Sequence, residues 1–208
     1  MSIGASVNQS VNIDGRQYDS QLAITAEAAQ IVDKTMALAK NGTLTVRTDA
    51  NTGSLTMEAG HGIITGDRLD IYWLHTDGVT WKCQRAVTAG TVATNVVPID
   101  LGVGDNLPVA ATAVVVAVVT MEAVSVVRDN MVCLGAYTEF QGTIVLAASD
   151  NTELYAYNNP GTGNAACWIS GQPGLSNPIT SGTTIAKVFL SNGSASSTAN
   201  GRCTLGWN

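Results

Sequence analysis

Thr43 to Glu58 reads TLTVRTDANTGSLTME, and this stretch decides the fold. Thr43–Thr48 alternates apolar and polar side chains, DANTG (Asp49–Gly53) is turn chemistry, and Ser54–Glu58 alternates again. That pattern predicts a hairpin in which Leu44 and Val46 face Leu55 and Met57. Downstream, GHGIITGDRLDIYWL (Gly60–Leu74) predicts a glycine-pinned turn feeding a strand with Leu69, Ile71 and Trp73 on one face. Val79–Val87 and Val92–Ile99 are further strands, ended by the loop DLGVGDNLP at Asp100–Pro108. Val109–Val127 (VAATAVVVAVVTMEAVSVV) carries Glu122, follows Pro108 and is dominated by β-branched residues with no aromatic belt. Two buried strands, or one strand and its bent continuation, explain it better than a membrane helix.

Upstream, apolar positions Ala28, Ile31, Val32, Met36, Leu38 and Ala39 fall near a 3.6-residue period. They predict an α-helix over about residues 25–40, capped by Ser20 or Thr25 and stopped by Asn41-Gly42. Before it, Val7, Val11 and Ile13 lie too sparsely among polar residues for a core strand. Residues 1–20 are therefore expected to form an extended arm that pairs with another chain. From Asp129 the texture changes to short strands about ten residues apart: Met131–Tyr137, Thr143–Ala148, Glu153–Tyr157, Ala165–Ile169, Thr183–Leu190 and Arg202–Trp207. Gly-, Pro-, Asn- and Ser-rich links separate them, as in a β-sandwich or jelly roll. The expectation is thus a mainly β protein with three parts. These are an arm (1–20), a helix plus small β-barrel-like unit (21–128) and a β-sandwich-like unit (129–208).

Composition supports this reading. Val, Ile and Thr number 22, 12 and 24, and Ala and Gly 26 and 21, so five residue types supply half of the 208 residues. Charged residues are 12%, and the net charge is −6 without any Lys/Arg run. A long coiled coil and a charged disordered tail are excluded on these grounds, and a phosphate-tracking surface is not expected. MSIGASVNQSVNIDG has neither the basic nor the apolar region of a secretion signal, so synthesis in the cytoplasm is expected.

Residues able to do chemistry are few. Cys83, Cys133, Cys167 and Cys203 form no CxxC pair and read as buried thiols, although four would also allow two disulfides. His61, within GHG, reads as turn-stabilising, and His75, before Thr76-Asp77-Gly78, as solvated. Asp67 and Asp70 flank Arg68 on a strand and point to opposite faces, which excludes a general acid/base pair. Asp49-x-Asn51-x-Gly53 resembles the start of a calcium loop but lacks its remaining acidic ligands. GVGDNLP opens no helix and so cradles no phosphate, and GxSxG is absent. No catalytic residue, metal site or cofactor is expected. Trp73 and Trp81, at strand positions with apolar neighbours, read as core or subunit-interface residues. With Val7, Val11 and Ile13 they form the candidate interface set.

Low charge, an unpartnered arm and β-edges suit a subunit of an assembly. GTLTVRTDANTGSLTMEAGHGIITGDRLDIYW (Gly42–Trp73) resembles segments of tailed-bacteriophage virion structural proteins, in which a Gly-rich turn around HGI..GD introduces a strand of a small β-barrel. The Thr/Ala/Val/Gly texture is similar to phage decoration (cement) proteins. The resemblance covers about a sixth of the chain by motif and carries over no catalytic or ligand residue. It implies a non-enzymatic protein of the virion, bound to the major capsid lattice, homo-oligomeric with a trimer favoured, and touching neither nucleic acid nor membrane. The alternatives are a tail, baseplate or fibre subunit, and a carbohydrate-binding or adhesin-like module stacking sugars on Trp168 or Trp207.

Overall fold

A computed structural model describes residues 8–13, 16–21, 29–102, 106–125, 127, 132–161, 166–169 and 184–206. Among these the chain is mainly β, with no helix. β1 (Asn8–Ile13) and β2 (Arg16–Gln21) pair antiparallel as a two-stranded sheet. The expected helix is instead β3 (Ala29–Met36), which pairs residue for residue with β16 (Ala199–Gly206), from Ala29↔Gly206 to Met36↔Ala199. The misreading has a physical cause. A short apolar run fits either period, and an eight-residue ladder to a distant strand outweighs weak helical propensity, the more so with β-branched Ile31 and Val32. Met36 is buried in the core while Thr35 is exposed, the two-residue period of a strand.

The next six strands close a barrel in the order β4-β5-β8-β7-β6-β9. They are β4 (Lys40–Arg47), β5 (Thr52–Met57), β6 (Arg68–Leu74), β7 (Trp81–Ala89), β8 (Val96–Asp100) and β9 (Ala113–Val118). The β4–β5 hairpin forms as expected, with Leu44 opposite Leu55. Leu44, Leu55, Met57, Leu69, Ile71, Trp73, Val87, Val97, Ile99, Val114 and Val116 fill the interior. Such a barrel is a packed core and not a pore.

The Val-rich stretch becomes β9 and β10 (Thr120–Ala123), separated by Val119 alone; no described helix is long and apolar enough to cross a membrane. β10 joins the sheet β10-β15-β12-β13 and β3 joins the sheet β14-β11-β16-β3. The remaining strands are β11 (Val132–Thr138), β12 (Gly142–Ala147), β13 (Glu153–Asn159), β14 (Ala166–Ile169) and β15 (Lys187–Asn192). Sheet membership therefore crosses residue 128, because β3 and β10 pair with strands from the later part of the chain. The chain starts the sandwich, builds the barrel, and returns through two short links, residues 37–39 and Val119.

The two sheets enclose one core containing Met36, Ile144, Leu146, Tyr157, Val188, Leu190, Cys203 and Leu205. β12 is buried along its whole length, which alternation explains. Ile144 and Leu146 face the sandwich core, while Thr143, Val145 and Ala147 face the barrel wall. β15 divides likewise, Val188 and Leu190 one way and Phe189 and Ser191 the other. The protein thus has three layers: barrel, middle sheet and outer sheet.

Candidate functional site

Among the described residues, polar and aromatic side chains gather at the barrel–sheet junction, at the far end of the barrel, and at the outer sheet among Thr35, Tyr137, Glu139, Asn200 and Arg202. At the junction, β6 is buried on both sides. Leu69, Ile71 and Trp73 point into the barrel, so pleating sends Asp70 and Tyr72 outward onto the middle sheet. Tyr72 is fully buried, its Oη 2.9 Å from Thr143 Oγ1 and 3.0 Å from Ser191 Oγ. Ser191 Oγ donates to Asp70 Oδ2, and the Ala86 N–H donates to Asp70 Oδ1 at 3.0 Å. With its own proton given to Asp70, Ser191 accepts from Tyr72, so the network runs in one direction. Burial raises the Asp70 carboxyl above its ordinary range, against the hydrogen bonds of Ser191 and Ala86 and the charges of Arg85 and Arg68. Ala86, at φ 60°, holds an uncommon backbone conformation that accompanies this contact.

Beside this network Glu153 of β13 accepts from Arg68 and from Arg85 Nη1, the latter at 2.8 Å, and the Arg68 guanidinium lies 4.3 Å from the Phe189 ring centre. These contacts join barrel strands β6 and β7 to β13 and β15. Next to them a cleft of about 450 Å³ is lined by Asn41, Trp81, Val115, Phe140, Gln141 and Ser194. None of these six side chains is ionisable. The junction has the chemistry of a joint: Ser191, Asp70, Tyr72 and Thr143 are engaged with one another across the two layers, and Arg68 Nε is buried there without a hydrogen-bond partner.

The far end of the barrel carries the turns 48–51 and 75–80 and the loop 101–112, of which 103–105 lie outside the described residues. Each turn is tied down by its own side chain. Asp49 Oδ1 accepts from Asn51 N (2.8 Å) and Thr52 N (2.7 Å), so this carboxylate serves its own hairpin. Asp77 Oδ1 accepts from Val79 N (3.0 Å) and Thr80 N (2.8 Å), and Gly78 supplies φ 73°. Hydrogen bonds from Thr80 and Val79 hold the Asp77 carboxyl well below the usual carboxylate range. Leu107 N donates to Ala50 O (2.7 Å) and Thr112 Oγ1 to Val109 O (2.7 Å). On these braced turns Val79 is 78% exposed and Val109 62%. A depression of about 440 Å³ lies among Trp73, Leu74, Lys82, Leu107, Pro108 and Val109.

Trp73 is 8% exposed within the barrel core, with one edge in that depression; Trp81 is half-buried in the junction cleft. Val7 lies outside the described residues. Val11 and Ile13 are on β1, opposite Tyr18 and Arg16. Trp207 lies outside the described residues, and β14 places Trp168 opposite Ala136. His61 stabilises its turn: Nδ1 accepts from Ile63 N–H (3.0 Å), which leaves Nε2–H to donate to Thr94 O (3.0 Å). His75 is exposed and lies 3.6 Å from Asp77. Among the described residues no three His, Cys, Asp or Glu side chains cluster as a metal site. Sequence reasoning weighed Asp70 only as a partner of Asp67 and did not single out Tyr72, since alternation with Leu69, Ile71 and Trp73 does not say what covers the other face. The available signal was GTIVLA at Gly142–Ala147, whose lack of polar alternation marks a strand covered on both faces.

No family model matches the chain, and no curated protein matches it in sequence. Among solved structures it is similar to the infectious bursal disease virus VP2 subviral particle at a TM-score of 0.27 and 13% identity, over 100% of this chain and 66% of that one. The chain therefore spans just under two thirds of that structure's length, and a likeness this slight carries no argument.

Proposed function

We propose that this chain is a non-enzymatic structural subunit of a virus particle, specifically a decoration protein seated on the capsid lattice of a tailed phage as a homotrimer. The observation that carries this reading is the far end of the barrel. There, side-chain-braced turns hold Val79 and Val109 in solvent, Val109 on the rim of a depression that Trp73, Leu74, Leu107 and Pro108 also line, a cost that a neighbouring protein surface would offset. Weak charge (12% charged residues) supports close packing of copies, and the resemblance at Gly42–Trp73 supports the phage setting. The action is mechanical: binding across capsomer boundaries raises the work needed to separate them. Residues 1–20, with the β1–β2 hairpin, and the barrel grip the shell, and the later strands face outward.

Antiserum against the recombinant protein, applied to density-gradient particle fractions with immunogold microscopy, tests this reading. Label across heads is the expected result; label confined to tails moves the protein to the tail, and absence from every particle fraction refutes a virion role. Val79→Asp with Val109→Asp, and separately removal of residues 1–20, are expected to abolish particle binding while leaving the fold intact. Undiminished binding by either variant removes that surface from the mechanism.

A further inference from the structure

Cys133 on β11 and Cys203 on β16 lie in the sandwich core, 1% and 0% exposed, with their sulfurs 3.7 Å apart. Their strands are antiparallel neighbours. The register sets Cys133 opposite Leu205 and Ala136 opposite Cys203, and it shifts between Cys133 and Gly135. The cysteines are thus diagonal neighbours on one face, and the extra residue at Leu134 gives β11 local freedom that a regular ladder lacks. A disulfide needs about 2.05 Å between sulfurs, so closure asks for roughly 1.6 Å of approach, within reach of side-chain rotation and a small movement at the bulge.

We propose that Cys133 and Cys203 form a disulfide when the chain meets a small-molecule disulfide oxidant such as oxidised glutathione. One cysteine thiolate attacks a glutathione sulfur, forming a mixed disulfide and releasing a glutathione thiolate. The second attacks the protein-bound sulfur, closing the bond and releasing the other glutathione. The two protein protons end on the two glutathione thiols, and the oxidant takes up the electron pair. The bond ties together residues 70 positions apart, with β12, β13, β14 and β15 between them. The other cysteines are poorly placed to compete. Cys83 is on barrel strand β7 at the junction, and the register puts Cys167 opposite Tyr137, four positions along β11 from Cys133. The hydrogen bond with Cys133 and burial raise the Cys203 thiol, so thiolate is scarce in the folded chain. Oxidation accordingly proceeds as the chain folds or opens and is slow in the closed native state. This inference stands independently of the virion reading.

The test refolds the denatured full chain in a reduced/oxidised glutathione mixture and, in parallel, with excess dithiothreitol. The expected oxidised product is lighter by two hydrogens, yields a linked Cys133–Cys203 peptide, and melts about 5–10 °C higher than the reduced protein. Cys83→Ser keeps the mass change and the linked peptide, and Cys203→Ser loses both. Peptide mapping of the wild type decides the matter even if Cys203→Ser fails to fold. A folded product without the cross-link, or one linked through Cys83 or Cys167, overturns the proposal. An unchanged melting point in linked protein overturns the bracing effect.

Discussion

Replacing Tyr72 with phenylalanine tests whether the barrel is bonded to the middle sheet or merely lies against it. The ring is fully buried, and its hydroxyl is within 3.0 Å of both Thr143 and Ser191. Phenylalanine keeps the ring and removes only the oxygen. Freed of Tyr72, Thr143 turns its proton to Asn158 Oδ1 at 3.3 Å, and Ser191 keeps Asp70, so neither hydroxyl is orphaned. The loss is then the net value of the hydroxyl's two buried hydrogen bonds, about 1–2 kcal/mol. Unfolding entropy of about 2.1 cal/mol/K per residue gives about 0.44 kcal/mol/K for this chain, so the melting midpoint falls by about 2–5 °C. Tyr72→Ala also loses the ring and costs about 3–5 kcal/mol, or about 7–11 °C. Calorimetry of the three proteins decides. A Phe variant within 1 °C of wild type, or more stable, shows that the hydroxyl does not couple the layers. Equal losses for Phe and Ala refute the partition between hydroxyl and ring.

Asp70→Asn tests the buried carboxyl. Its pKa is raised from 3.8 in the fold, mainly by burial, so the folded chain keeps a proton that the unfolded chain has released, and stability falls as pH rises through the window above 3.8. Urea unfolding from about pH 4 to 7 should give a flatter profile for the Asn variant, with its advantage over wild type growing as pH rises; parallel profiles contradict the assignment. Gly193→Ala places a methyl 2.6 Å from Gln141 Cγ and 3.0 Å from Tyr72 Cζ, wedging the layers apart. A loss of about 1–3 kcal/mol in the same assay is expected, and a neutral substitution shows that Gln141 yields.

The parts legible in the sequence were those whose signal is local. The β4–β5 hairpin is carried by alternation around DANTG, and β9 and β10 by a run rich in β-branched residues, although nothing in that run marks the break at Val119. β3 was misread because its partner β16 lies at the other end of the chain, and partnership leaves no periodicity in Ala29–Met36 itself. The junction was hidden for the same reason. Tyr72 is 71 residues from Thr143, and Asp70 is 121 from Ser191. Alternation in RLDIYWL assigns two faces without saying what covers the second. The far barrel end was half legible: Asp77-Gly78 marks its turn, while the exposure of Val79 and Val109 follows only from how the turns project.

The return of the chain to a sandwich it began before the barrel sets an order of assembly. Lys40 to Val118 is contiguous, and three of its six ladders (β4–β5, β6–β7 and β7–β8) join strands close in sequence, so the barrel closes over shorter loops than the β3–β16 ladder and forms first. The Thr35–Asn200 contact in the β3–β16 ladder spans 165 residues and needs every strand between them to have been made. Until that ladder forms, β16 presents an open, apolar-backed edge. A chain synthesised from its N-terminus thus holds β3 in waiting until β16 emerges, and pairing with another copy's β16 becomes the characteristic misfolding hazard at high concentration.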